Sequence, residues 1–197
     1  MESGALVTSQ GPGTSFEFAL TLVRRLRGAE IEKQVAADQF SGAVVIAKNG
    51  KAIFAEAYGF ADRDKGVPFT AETVFDIGSI TKQLTAAAIL KLEMEGKLKV
   101  TDPLPKHFEG VPEDKRGITL HHLLTHSAGF VDILGGDYDE MPRDRLVQGA
   151  LASKLLWPPG TGYEYSNLGY SLLAIVVEKV SGRPYETFLQ ERLLKPA

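Results

Sequence analysis

The sequence predicts an α+β chain: a partial antiparallel sheet lobe with an N-terminal helix, plus a mostly α-helical lobe. Three observations carry this. Two apolar-rich segments, 42–48 and 51–60, flank an Asn49-Gly50 pair, and Asn-Gly supplies the positive φ angles of a type I′ hairpin turn. Downstream, apolar residues recur at helical spacing in segments closed by Gly96 and Gly182, glycine being the common residue just past a helix end. The 197 residues are 44% hydrophobic and 24% charged, the composition of a globular chain with ample core.

In chain order, residues 16–39 predict a helix, with Leu20, Val23, Leu26, Ile31 and Val35 on one rough apolar face broken near Gly28. Within the hairpin, Ala43-Val44-Val45-Ile46-Ala47 is continuously apolar, which predicts a strand covered on both faces, one of them by the N-terminal helix. Further helices are predicted over 79–95, near 119–125, near 142–154, over 167–179, and from Pro184, where proline suits a first helical turn. Residues 1–30 read as an extension and the start of the first helix, and 31–197 as the folded domain. There is no internal repeat.

A net charge of −3 gives no electrostatic case for nucleic acid or an anionic membrane. With no cysteine there is neither a disulfide framework nor a thiolate site. The apolar run 16–23 is short, interrupted by Glu17 and followed by Arg24, Arg25 and Arg27. That is the reverse of a signal peptide's order, and no stretch approaches the roughly 18 apolar residues of a membrane span, so a cytoplasmic location is expected.

The chemistry concentrates in two segments. Ser79-Ile80-Thr81-Lys82 places a hydroxyl and an amine on one face of a helix start. A serine becomes a nucleophile only with a base in hydrogen-bond reach, which a sheltered lysine can be, and a helix N-terminus suits a developing oxyanion. The alternative is that Ser79 merely caps the helix. The second segment, Trp157-Pro158-Pro159-Gly160-Thr161-Gly162-Tyr163-Glu164-Tyr165-Ser166-Asn167, is a Pro/Gly-rich loop that delivers a Tyr and an Asn before an apolar helix. Tyr165 can shuttle a proton and Asn167 can both donate and accept hydrogen bonds. The alternatives are a packed loop aromatic and a helix N-cap.

These segments, with Leu123-Leu124-Thr125-His126-Ser127-Ala128-Gly129 between them, resemble the serine β-lactamase and penicillin-binding superfamily. The likeness is to its class C-like branch of D-Ala-D-Ala carboxypeptidases, D-aminopeptidases and esterases, and it runs from about Ile31 to the last residue. It implies a β-lactamase/transpeptidase-like fold and an acyl-enzyme mechanism on a β-lactam, a D-amino-acid peptide or an ester, with no cofactor and no metal. Ser79 is similar to the acylated nucleophile and Lys82 to its proton partner. Tyr165 is similar to the tyrosine that serves as base and then acid, and Asn167 to the residue that holds the substrate's acyl side chain. Tyr-x-Asn in place of Ser-Asp-Asn argues against the class A branch.

The family's third motif, a Lys-Thr-Gly or His-x-Gly strand, does not occur before Lys195-Pro196-Ala197. In the family that strand supplies one of two oxyanion donors, and removing one such donor costs about 10²- to 10³-fold in rate. The expectation is a domain lacking its C-terminal strands, with reduced or no activity alone. Its exposed hairpin edge would call for a homo-oligomer or a complementing C-terminal piece.

Weaker readings complete the inventory. His122 and His126, four apart, could share a helix face as metal ligands, but the H-E-x-x-H pattern is missing, and His126 is better placed bracing the loop behind the site. Ser127 falls short of a G-x-S-x-G elbow. Residues 132–140 are rich in Asp and Gly but lack calcium-loop spacing, so a solvated loop near the cleft is expected. Tyr58, Trp157 and Tyr163 read as buried packing before channel lining.

Overall fold

The computed structural model describes residues 2–3, 6–7, 40–136 and 139–196. The helix expected over 16–39 lies outside them. The chain divides into two compact units, Met1–Asp76 and Ile77–Ala197.

The described part of the first unit is three antiparallel strand pairs: β1 (Glu2–Ser3) with β2 (Leu6–Val7), β3 (Gly42–Lys48) with β4 (Lys51–Tyr58), and β5 (Phe60–Asp62) with β6 (Val67–Pro68). The β3–β4 hairpin turns on Asn49 (φ 51) and Gly50 (φ 73), both left-handed as a type I′ turn requires. Its strand ends at Tyr58 rather than 60, because the chain bends at Gly59 into the β5–β6 pair. The expectation of a strand covered on both faces is corrected: β3 alternates, with Val44 and Ile46 half-buried and Val45 64% exposed. Successive side chains leave a strand on opposite faces, so an unbroken apolar run does not by itself cover both.

The second unit is helical, and it is built around α4. Its helices are α1 (Thr81–Met94), α2 (Leu120–Leu124), α3 (Arg143–Ala152), α4 (Asn167–Ser181) and α5 (Tyr185–Leu189), the last continued by a π-helical turn over Gln190–Leu194. α1 buries Thr85, Ala88, Ile89 and Leu92, the i, i+3, i+4, i+7 stripe of a helix with one face in a core. α4 buries Leu168, Leu172, Leu173, Ile175, Val176 and Val177 over most of its circumference, with α1, α2, α3 and α5 packed on it. Each such Leu, Ile or Val removed from water contributes about 1.5–3 kcal/mol, so the site at the start of α4 is anchored by the best-packed element in the unit.

Between α1 and α2 the chain closes on itself. Leu104 N–H donates to Ile118 O, and Leu120 and His121 N–H donate to the carbonyls of Asp102 and Val100. Asp102, 7% exposed, accepts from Lys99 N–H (2.8 Å) and Lys106 Nζ (2.7 Å). α2 begins on a capping box, with Thr119 accepting from His122 N–H and His122 Nδ1 accepting from Thr119 N–H. No helix among the described residues is long and apolar enough to cross a membrane.

Candidate active site

A 3-10 turn over Gly78–Ile80 leads into α1, so Ser79 sits one turn ahead of Lys82. Ser79 is exposed and Lys82 half-buried. Lys82 Nζ donates to Ser79 Oγ at 3.2 Å and to Asn167 Oδ1 at 2.5 Å. It also lies 4.7 Å from the ring centroid of Tyr165 and 5.7 Å from that of Tyr170, within cation–π range. The Tyr165 phenol donates to Ser79 Oγ at 2.6 Å. The four predicted residues therefore converge: one hydroxyl faces both a phenol and an ammonium, and the ammonium is held by the carboxamide.

Neither capping alternative describes these residues. The turn that carries Ser79 and the start of α1 have no side-chain cap hydrogen bond. The N-cap of α4 is Ser166, whose buried Oγ accepts from Gly169 N–H (3.0 Å) and donates to Val131 O (2.8 Å). Asn167 is the first residue of α4, and its own N–H donates to Asp132 Oδ1 at 3.0 Å. A carboxylate at that N–H satisfies an orphan donor and complements the helix dipole, and it leaves the Asn167 carboxamide for Lys82.

Two loops laced together hold Tyr165 in place. Leu156 N–H donates to Gly129 O, Gly160 N–H to Ser127 O and Glu164 N–H to His126 O, so residues 126–129 pair with 156–164. The lacing explains two glycines. A Cβ on Gly129 (φ 82) would stand 2.5 Å from the Trp157 carbonyl oxygen, and one on Gly162 would stand 2.5 Å from the Trp157 indole. His126 closes the arrangement: its Nδ1 accepts from Ser166 N–H at 3.0 Å, and its ring lies 4.7 Å from Tyr165 and 5.0 Å from Tyr170.

The charges follow from this packing. Burial acts to raise the Tyr165 phenol, but hydrogen bonding to Lys82 and Ser79 and the Lys82 charge outweigh it, with Asp132 opposing, and hold the phenol below its ordinary value. His126 is held below the ordinary imidazole value by burial first and the Lys82 charge second, against the pull of Asp132. It is therefore neutral near pH 7, as an Nδ1 acceptor must be. Tyr170 is pushed up by burial and by Tyr165 and Tyr163.

The Nδ1 atoms of His122 and His126 accept from different backbone N–H groups, on Thr119 and Ser166. Ser127 Oγ meets Thr125 Oγ1 at 2.8 Å. In the segment after it, Asp132 serves Asn167, and Asp139 Oδ2 accepts from Gly136 N–H. Trp157 is half-buried under Gly162, and Tyr58 of the first unit is half-buried beside Phe40. Tyr163 overturns the packing expectation, since it is 67% exposed and lies edge-on to His126.

Sequence reasoning missed Ser166, Tyr170 and Asp132 as parts of the site. Ser166 had a readable signal, a serine directly before an apolar helix, and so did Tyr170, one helical turn beyond it. Asp132 had none.

The comparisons with known proteins bear on the family and the fold. The Beta-lactamase family model matches residues 29–197. PbpX of Bacillus subtilis (strain 168), named as a penicillin-binding protein, is 33% identical over 175 residues, which are 87% of this chain and 43% of PbpX. Among solved structures, the octameric penicillin-binding protein homologue from Pyrococcus abyssi superposes with a TM-score of 0.75 at 33% identity, covering 88% of this chain and 42% of the other. The beta-lactamase/D-alanine carboxypeptidase from Pseudomonas syringae does so at 0.71 and 27%, covering 90% and 49%. The chain thus spans less than half the length of these relatives. The fold, the matched residues and these likenesses agree: the chain belongs to the Beta-lactamase family.

Proposed function

We propose that Ser79 is the nucleophile of a serine hydrolase site that works through an acyl-enzyme, with Lys82 and Tyr165 as its proton partners and Asn167 as a substrate-binding residue. One observation carries this: Ser79 Oγ stands 2.6 Å from the Tyr165 phenol and 3.2 Å from Lys82 Nζ, within general-base reach. The lowered phenol supports its acting as base while Lys82 carries the compensating charge, and the two are best treated as one coupled acid–base pair. Ser79 Oγ attacks the carbonyl carbon as its proton passes to the pair, and the tetrahedral oxyanion forms near the N-terminus of α1. The pair then protonates the leaving amine or alkoxide as the acyl bond breaks. Water, deprotonated by the same pair, releases the acid.

The substrate class is an acyl compound: a β-lactam, a D-amino-acid peptide or a small ester. The test is intact-mass spectrometry after exposure to a fluorescent penicillin and to a fluorophosphonate. One covalent adduct per chain is expected, absent from Ser79→Ala. Equal labelling of variant and parent rejects the nucleophile assignment. Reversible ligand binding with no acylation would instead make this a non-catalytic binding lobe, and neither binding nor labelling an inert product.

A further inference from the structure

His126 lies beside the reacting groups without touching Ser79, and it contacts three consecutive residues of the loop that carries Tyr165. Its carbonyl accepts from Glu164 N–H at 3.0 Å, its Nδ1 accepts from Ser166 N–H at 3.0 Å, and its ring lies 4.7 Å from the Tyr165 ring at an interplanar angle of 31°. The Ser166 N–H belongs to the peptide plane that follows Tyr165, so this bond fixes the backbone from which the phenol projects. The backbone of His126 is left-handed, at φ 56, a conformation that among non-glycine residues favours Asn, Asp and His. Ring and carbonyl thereby address the same loop.

We propose that His126 is a positioning residue for the hydrolase site proposed above, a neutral imidazole that grips the Tyr165 peptide, aims the phenol at Ser79, and lets go when it is protonated. A protonated imidazole has no acceptor, and its Nδ1–H would face the Ser166 N–H donor to donor. The groups that face the ring are Lys82 from α1, Asp132 from the loop after α2, Tyr163 and Tyr165 from the gripped loop, and Tyr170 from α4. Of these, Lys82 opposes a proton on His126 and Asp132 favours one. The sign follows: the grip holds near neutral pH and is lost as pH falls through the imidazole's folded value, which lies below 6.5.

The test has two arms. In an NMR titration of the whole chain, the Ser166 amide and the His126 ring should move with one shared midpoint below that of a free imidazole. A His126 ring that titrates while the Ser166 amide stays still overturns the proposal. In the second arm, fluorophosphonate labelling of Ser79 is followed from pH 5 to 8 for the parent, His126→Ala and His126→Asn. Alanine should slow labelling about tenfold, the cost of one lost hydrogen bond of roughly average strength. Asparagine, which tolerates the backbone and keeps an acceptor that does not titrate, should recover most of the rate and move the acid limb to lower pH. An acid limb identical to the parent's overturns the proposal. If the parent is labelled at no pH, the hydrolase reading fails and the NMR arm alone decides the grip. The same arm decides if His126→Asn does not fold.

Discussion

Ser166→Ala tests whether the start of α4 is held as described. The change removes two hydrogen bonds made by the hydroxyl of a residue that is 4% exposed: the cap accepted from Gly169 N–H at 3.0 Å and the bond donated to Val131 O at 2.8 Å. Losing the cap costs about 1 kcal/mol, and leaving a partly buried carbonyl without its donor costs about 1–2 kcal/mol more. The sum, about 2–3 kcal/mol, is a large share of the ~5–15 kcal/mol by which a domain is stable. Urea unfolding followed by far-UV circular dichroism reads it, because all the described helices lie in the second unit. Ser166→Asp separates the two terms. It keeps a strong cap acceptor but cannot donate to Val131, and it sets a carboxylate beside that carbonyl, so it should lose at least as much as alanine although aspartate caps well. A parent-like Ser166→Asp, or an alanine loss under about 0.5 kcal/mol, would refute the two-bond account.

Two other perturbations probe the supports of the site. Gly129→Ala should cost about 1–2 kcal/mol for the left-handed backbone alone, and more because its Cβ would meet the Trp157 carbonyl oxygen at 2.5 Å. A thermal midpoint unchanged by the substitution would sink the lacing of the two loops. The pH dependence turns on Asp102, where burial acts to raise the carboxyl but Lys106, the Lys99 N–H and the Lys106 charge outweigh it and hold it below its ordinary value. A depressed carboxylate contributes stability that is complete above its unfolded value, about pH 4, and is lost as pH falls through its folded value. Asp102→Asn should therefore flatten the stability profile below about pH 4 relative to the parent, while parallel acid limbs would remove Asp102 as their cause.

Local chemistry made much of the fold legible. Asn49-Gly50 located the hairpin turn because only a few residues accept two consecutive left-handed positions. The helix ends at Gly96 and Gly182 were readable for the same reason, with φ 70 and 67. The strand over 43–47 is present as expected, but its coverage was not legible, because an apolar run says nothing of which residues the two faces will meet. Val44 and Ile46 are partly covered, while Val45, equally apolar, stays 64% exposed. That difference is tertiary.

The site divides along the same line. Ser79 and Lys82 could be paired from sequence because helix geometry joins positions three apart. Tyr165 and Asn167 could be chosen by chemistry, but their contacts to Ser79 and Lys82 cross 86 and 85 residues, a distance no local rule spans. The alternative that Asn167 caps its helix fails for a related reason. Ser166 and Asn167 are both good N-caps, and Asp132, 35 residues away, accepts from the Asn167 N–H while Val131 engages the Ser166 hydroxyl. With Ser166 capping the helix and Asp132 on the first N–H of α4, the Asn167 side chain has nothing to do for its own helix, and this frees it to hold Lys82. Under the function proposed above, a carboxamide that serves another element's ammonium at 2.5 Å is a residue recruited for chemistry, and that contact is visible only once the partners are in place.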